Sequence, residues 1–210
     1  MGLLQRHRNG LPQTHARFYA ACILLVFEYF EGLHLIYRDL KPENILIAPD
    51  GYVKLADFGF IKKINRWERT HTICGTPEYM APEVIMGLGH GTAADWYTLG
   101  ILIYELSVGK PPFSHKDPYE LFRQVLRRPI PFPEHLLGST KALILGLCEH
   151  DPSKRLGNSE SGAAKVKAHH YFSGIDFDQI YAKDLTAPYL PPENAIKVSS
   201  LRNGQLLESI

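Results

Sequence analysis

The sequence predicts a mainly α-helical domain with a small β hairpin element near its start. Three observations carry that reading: strongly apolar stretches of helical length at 14–31 and 93–108, amphipathic stretches at 118–128 and 139–149, and short β-prone runs around a turn between 45 and 57. With 45% apolar and 11% aromatic residues, the 210-residue chain can bury one sizeable core, or one core and an extension.

Each element has its own local reason. Residues 14–31, "THARFYAACILLVFEYFE", follow Pro12, offer Thr14 as a cap and Gly32 as a stop, and are apolar nearly all round, so a helix here is buried on both sides. The β-prone runs "HLIY" (34–37) and "ILIA" (45–48) come next. "PDGY" then turns the chain, and "VKLAD" (53–57) returns as the second strand of a hairpin. Residues 93–108, "AADWYTLGILIYELSV", form the second apolar helix, and "PIPFPEH" separates the two amphipathic ones. From about Ser173 the sequence becomes Pro-rich and weakly periodic, "APYLPPENAIKVSS", which reads as a tail laid on a surface or partly disordered.

Composition excludes several classes of function. The 23 Lys and Arg against 22 Asp and Glu leave a net charge of +1 and no basic stripe to neutralise phosphates, so nucleic acid is not an expected partner. The longest apolar run, "AACILLVF", falls well short of the roughly 20 residues of a membrane span. The start, "MGLLQRHRNG", lacks the apolar stretch of a signal peptide, so a cytoplasmic or nuclear location is expected. Cys22, Cys74 and Cys148 are odd in number and far apart, which signals neither a disulfide framework nor a zinc site.

One short segment stands out chemically. "LIYRDLKPENILI" (35–47) sets Arg38, Asp39, Lys41, Glu43 and Asn44 between two apolar runs, an arrangement typical of a reactive loop on a packed scaffold. "YRDLKPEN" resembles the protein-kinase catalytic loop, "DFG" at 57–59 its metal-binding motif, and "APE" at 81–83 the end of its activation segment, in the kinase order. Tyr37 where most kinases carry His, "CGTPEY" at 74–79 and "APYLPP" in the tail are similar to the AGC group of serine/threonine kinases, in particular to the cAMP- and cGMP-dependent kinases. The resemblance covers essentially residues 1–190. It implies a kinase-like fold, with the C-terminal (large) lobe at 1–172 and part of an AGC-type tail at 173–210.

The resemblance also implies roles and cofactors. Phosphoryl transfer asks a protein mainly for positioning and charge neutralisation. Asp39 would orient the acceptor hydroxyl and take its proton, Lys41 would sit against the transferring phosphate, and Asn44 and Asp57 would hold Mg²⁺ ions. ATP would bind along Lys41, Glu43, Asn44, Leu46 and Asp57, with Leu46 under the adenine. Thr72 corresponds to the activation-loop phosphosite, whose phosphate Arg38 and Lys62 would clamp. Glu43 and Glu105 match positions that accept an arginine two residues before the phosphoacceptor, and Ile73, Pro77 and Met80 would line a pocket for the hydrophobic residue just after it. The expected partners are therefore proteins with basic residues before Ser or Thr, and a regulatory subunit or domain. Glu83 with Arg155, and Asp95 with the catalytic-loop backbone, are expected structural pairings.

Other motifs carry less. "GHGTAAD" at 89–95 fits a dinucleotide-binding glycine pattern, but helix after helix follows it instead of a parallel strand. His71 with Cys74, and His169 with His170, lack further ligands at metal spacing. The roughly 36 residues before "YRDLKPEN" hold no Gly-rich phosphate loop, strand lysine or partner glutamate, the features of a kinase small lobe. Two readings follow: part of an active kinase whose upstream sequence lies outside this chain, or a non-catalytic docking module. Either way the 210-residue chain by itself is expected to be weakly active or inactive.

Overall fold

The computed structural model describes residues 2–7, 9–65 and 68–192, and these form eight α-helices and two small antiparallel sheets. Helix α1 (Gly2–Arg6) precedes the long α2 (Gln13–Gly32). β1 (Leu35–Ile36), a 3₁₀ turn at Pro42–Asn44, β2 (Ile45–Ile47), β3 (Val53–Leu55) and β4 (Lys62–Lys63) follow. The rest is α3 (Pro82–Ile85), α4 (Ala93–Val108), α5 (Pro118–Arg127), α6 (Gly138–Leu147), α7 (Gly162–Lys167) and α8 (Phe177–Ala182). Among the described residues no helix is long and apolar enough to cross a membrane.

The core is built around α2 and α4, the two stretches whose sequence is apolar all round. They pack on each other, α6 covers the other side of α4, and α7 and α8 lie on α2. Ala20 and Ala21 of α2 are fully buried, as are Ile23, Leu24, Leu99, Ile101, Leu102 and Ile103. Each large side chain removed from water contributes about 1.5–3 kcal/mol. Gly100 permits the close approach of α4 to α6, since a Cβ there would lie 2.5 Å from Cys148 Sγ and 2.9 Å from Leu147 Cβ. α4 ends where Gly109 enters the left-handed region at φ 88° and returns its N–H to the Glu105 carbonyl.

The hairpin is β2 with β3, in the register Ile45↔Leu55, Leu46↔Lys54 and Ile47↔Val53. β1 does not join it. Leu35 pairs with Lys63 and Ile36 with Lys62, so the run before the charged loop is closed by the segment after "DFG". The tail also departs from its sequence reading: α8 sits within it, capped by Asp176, whose carboxylate accepts the N–H groups of Asp178 and Gln179. Beyond α8 the chain straps onto the hairpin turn. Lys183 reaches Asp50 at 2.6 Å and lies over the Tyr52 ring, and the Tyr52 hydroxyl donates to the Leu185 carbonyl at 2.8 Å. The tail expected at 173–210 lies outside the described residues from 193 onward.

Candidate active site

The loop between β1 and β2 is pinned from below. Asp95, in the first turn of α4, accepts the backbone N–H of Tyr37 at 2.7 Å and of Arg38 at 2.9 Å. Arg38 holds a left-handed φ of 72°, a conformation that costs a non-glycine residue energy and persists where its surroundings fix it. Burial pushes the Asp95 carboxyl up to about 6, against the downward pull of the two amides and Arg38. Tyr37 is fully buried, and its hydroxyl donates to the carbonyl of Ala56, the residue before Asp57.

Held this way, the loop gathers four side chains. Asp39 is 3% exposed, and its carboxylate meets Lys41 Nζ at 2.9 Å, accepts the Asn44 amide at 3.0 Å and accepts the Thr76 hydroxyl at 2.9 Å. Lys41 also donates to Thr76 Oγ1 at 3.0 Å, and the Asn44 amide donates to the Asp39 carbonyl at 2.8 Å. Thr76 thus reaches one oxygen of this deeply buried carboxylate and Lys41 and Asn44 reach the other, and these three donors fix its orientation. Asp57 stands exposed nearby in the chain path: the Ala56 N–H donates to the Asn44 carbonyl at 2.8 Å, and one Asp57 oxygen accepts the Gly59 N–H at 3.1 Å.

The donors fit Mg²⁺ by type. Asn44 and Asp57 offer hard oxygen ligands, and Mg²⁺ is usually held by one or two carboxylates together with waters and substrate phosphates. Leu46, at the centre of β2, is 52% exposed at the edge of an apolar hollow of about 230 Å³ lined also by Ile45, Ile47, Val53, Leu102 and Leu106.

The activation segment presents a different picture. Thr72 is exposed. Lys62 donates to Thr70 Oγ1 at 3.0 Å and Arg38 Nε to the Phe60 carbonyl at 2.7 Å, so neither cation is on Thr72 itself. Arg38 Nη1 and His90 Nε2 are buried with no hydrogen-bond partner among the described residues. Burial, helped by the nearby Arg38 charge, pushes His90 down to about 4. A backbone bridge, Thr70↔His90, ties the segment to the body.

Glu105 accepts the Tyr79 hydroxyl, and burial with the Glu43 and Glu78 charges raises its carboxyl above the ordinary range. Glu43 itself is exposed. Ile73 is exposed and Pro77 partly buried, while Met80 is turned into the core beneath the segment. The expected Glu83–Arg155 pair is present and bidentate, at 2.6 and 2.9 Å, with Arg155 further donating to the carbonyls of Ala93 and Glu149.

Three residues escaped the sequence reading. Thr76 sits inside the quoted "CGTPEY", yet nothing local says that its hydroxyl crosses to Asp39. Glu78 joins the field on Glu105, and His90 lay inside a glycine-rich stretch read only as a discounted motif.

The sequence matches the protein kinase domain family over residues 1–172. It is 47% identical over 186 residues to the cAMP-dependent protein kinase catalytic subunit 3 of Drosophila melanogaster, covering 89% of this chain and 32% of that protein. It is 46% identical over 186 residues to the cAMP-dependent protein kinase catalytic subunit PRKX of Homo sapiens, covering 89% and 51%. With the cGMP-dependent protein kinase egl-4 of Caenorhabditis briggsae the identity is 43% over 192 residues, covering 90% and 26%. The chain spans about half the length of these relatives or less.

Proposed function

The chain belongs to the protein kinase family, and on that premise we propose that it carries the catalytic machinery of a serine/threonine kinase acting on basic protein substrates. The observation that carries the reading is Asp39, buried and addressed at once by Lys41, Asn44 and Thr76. In the reaction the acceptor hydroxyl oxygen bonds to the γ-phosphorus of ATP, the bond from that phosphorus to the β–γ bridging oxygen breaks, ADP leaves, and the hydroxyl proton passes to an Asp39 oxygen. Lys41 faces the transferring group and offsets its negative charge. Asn44 and Asp57 would hold Mg²⁺, which supplies charge neutralisation on the phosphates when bound.

The acidic group Glu43, Glu78 and Glu105 supports a preference for arginine before the acceptor, because a guanidinium can meet carboxylates in bidentate fashion. Ile73 and Pro77 leave an apolar surface for the residue after it, with Met80 as its floor. Thr72 would serve as the regulatory phosphosite, with the unpartnered Arg38 Nη1 as one donor ready for it. A regulatory subunit or domain would act through the same large lobe.

The test exchanges the matched segment into the human relative and measures ATP-dependent phosphorylation of basic peptides. Transfer by the chimera, reduced at least about 1,000-fold by Asp39→Asn, is the expected result. A folded, nucleotide-binding chimera that transfers nothing, or one indifferent to Asp39→Asn, would leave the docking-module reading in its place.

A further inference from the structure

The activation segment leans on the chain that leads into α4. Thr70 and His90 exchange both backbone hydrogen bonds at 2.9 Å, and a His71 ring nitrogen lies 3.4 Å from the Gly87 carbonyl. Residues opposite each other in an antiparallel bridge send their side chains to the same side, so the His90 ring and the Thr70 hydroxyl share a face. Lys62 is on that face too, because its ammonium donates to Thr70 Oγ1 at 3.0 Å. His90 is 2% exposed, and its Nε2 has no hydrogen-bond partner among the described residues.

The charges around His90 do not balance. Those that face it are Arg38 from the catalytic loop, Lys62 from β4, His71 from the segment and Glu83 from α3. The carboxylate among them is already committed, since both Glu83 oxygens hold Arg155. Asp95 faces Arg38, but its two oxygens take the Tyr37 and Arg38 amides. Arg38 Nη1 lacks a partner among the described residues as His90 Nε2 does, and both residues line one void of about 10 Å³ together with Cys74 and Gly75. Buried cationic groups in surplus call for an anion. The void has the room of one oxygen atom, so a larger oxyanion would place a single oxygen there and keep the rest toward the surface.

We propose that His90 is a ligand of the phosphate on Thr72, completing with Arg38 and Lys62 a three-cation site where the activation segment meets the chain leading into α4. The inference rests on the reading of Thr72 as the regulatory phosphosite. Thr72 is the hydroxyl placed to carry the group, being exposed, whereas Thr70 is buried and its oxygen is taken by Lys62. In the modification Thr72 Oγ1 bonds to the γ-phosphorus of ATP, the bond to the β–γ bridging oxygen breaks, and ADP and the hydroxyl proton leave. The phosphate then reverses the field at His90. The ring that burial and the Arg38 charge keep neutral takes a proton from solvent, and its Nε2–H donates to a phosphate oxygen.

The experiment compares the 210-residue chain carrying phosphothreonine at position 72 with the unmodified chain, by ³¹P and ¹H NMR titration against pH. In wild type the phosphate should ionise below the value of about 6 usual for a phosphorylated side chain, and the His90 ring should titrate at least about one unit higher with the phosphate than without it. His90→Phe should raise the phosphate midpoint by about half a unit or more, and His90→Gln, whose amide can donate from the same place, should recover part of that loss. Lys62→Met reports on the clamp itself and should raise the midpoint as well. Equal midpoints in wild type and His90→Phe, with Lys62→Met still raised, overturn the proposal and leave the Thr72 clamp standing. A phosphate at its ordinary value in every variant overturns both. Where His90→Phe does not fold, the ring titration of wild type decides, and a midpoint unmoved by phosphorylation removes His90 from the site.

Discussion

The catalytic loop (37–44) and the activation segment (57–83) touch each other, yet one is held by a dense local network and the other by scattered ties. In the loop the backbone and the reactive carboxylate are held by hydrogen bonds: Asp95 takes two amides, and Asp39 takes three side chains. The activation segment is fastened at separate points, β4 to β1, Phe60 to Arg38, Thr70 to His90, Thr76 to Asp39 and Tyr79 to Glu105, while its phosphosite candidate lies exposed between them. Arg38 Nη1 of the loop and His90 Nε2 beside the segment are buried with no hydrogen-bond partner among the described residues. A satisfied network fixes one geometry, whereas a tethered strand with spare donors beside it can be fixed later by an added charge.

The largest effect expected comes from breaking the satisfied side. Arg155→Met strands Glu83 as a buried unpaired carboxylate, and loss of one partner of such a pair costs about 3–5 kcal/mol. A urea unfolding midpoint unchanged from wild type would mean that Glu83 finds solvent after all. On the tethered side, Thr72→Ala in the active chimera should lower phosphate transfer by about tenfold or more, because each charge-assisted hydrogen bond to a phosphate contributes about 1.5–3 kcal/mol. Full activity with Thr72 found unmodified by mass spectrometry would remove it as the switch.

The boundary itself can be read by pH. His90 titrates near 4 in the folded protein against 6.5 ordinarily, so between those values the unfolded chain binds the extra proton and its contribution to stability rises with pH. Asp95 titrates near 6 against 3.8, so there the folded protein binds the extra proton and its contribution falls as pH rises. The two oppose each other, each with a slope of at most about 1.4 kcal/mol per pH unit. Stability of His90→Gln measured from pH 4 to 6.5 should therefore tilt downward relative to wild type, and Asp95→Asn upward. Parallel curves for all three proteins would show that neither group changes its titration on folding. The smallest effect belongs to the exposed Arg123–Glu120 pair at 2.6 Å, where Arg123→Ala should change stability by less than about 1 kcal/mol.

How much of this was legible in the sequence depended on the range of the cause. The helix at 93–108 was read to the residue, since Gly109 ends it locally, and "PDGY" announced the β2–β3 hairpin. The β1–β4 pairing was missed because it joins two-residue strands separated by the whole catalytic loop and hairpin. Helix α8 was hidden by its Pro-rich setting, although Asp176 and Gln179 have the spacing of a capping box, and the Gln179 amide does return to the Asp176 carboxylate at 2.9 Å. In the site, the residues within one motif were legible. Thr76, which comes to Asp39 from another segment, was not, because only the folded path of the chain brings the two together.

The strap between the tail and the hairpin turn sets a timetable for synthesis. Asp50 and Lys183, which form an ion pair, are 133 residues apart in the chain. A ribosome adding about 5–20 residues per second takes roughly 7–27 s to cover that interval. For that time the hairpin bearing Leu46 and the end of the catalytic loop has left the ribosome without the segment that covers its turn. Chaperones thus have a window measured in seconds, and it closes when α8 and the strap behind it emerge.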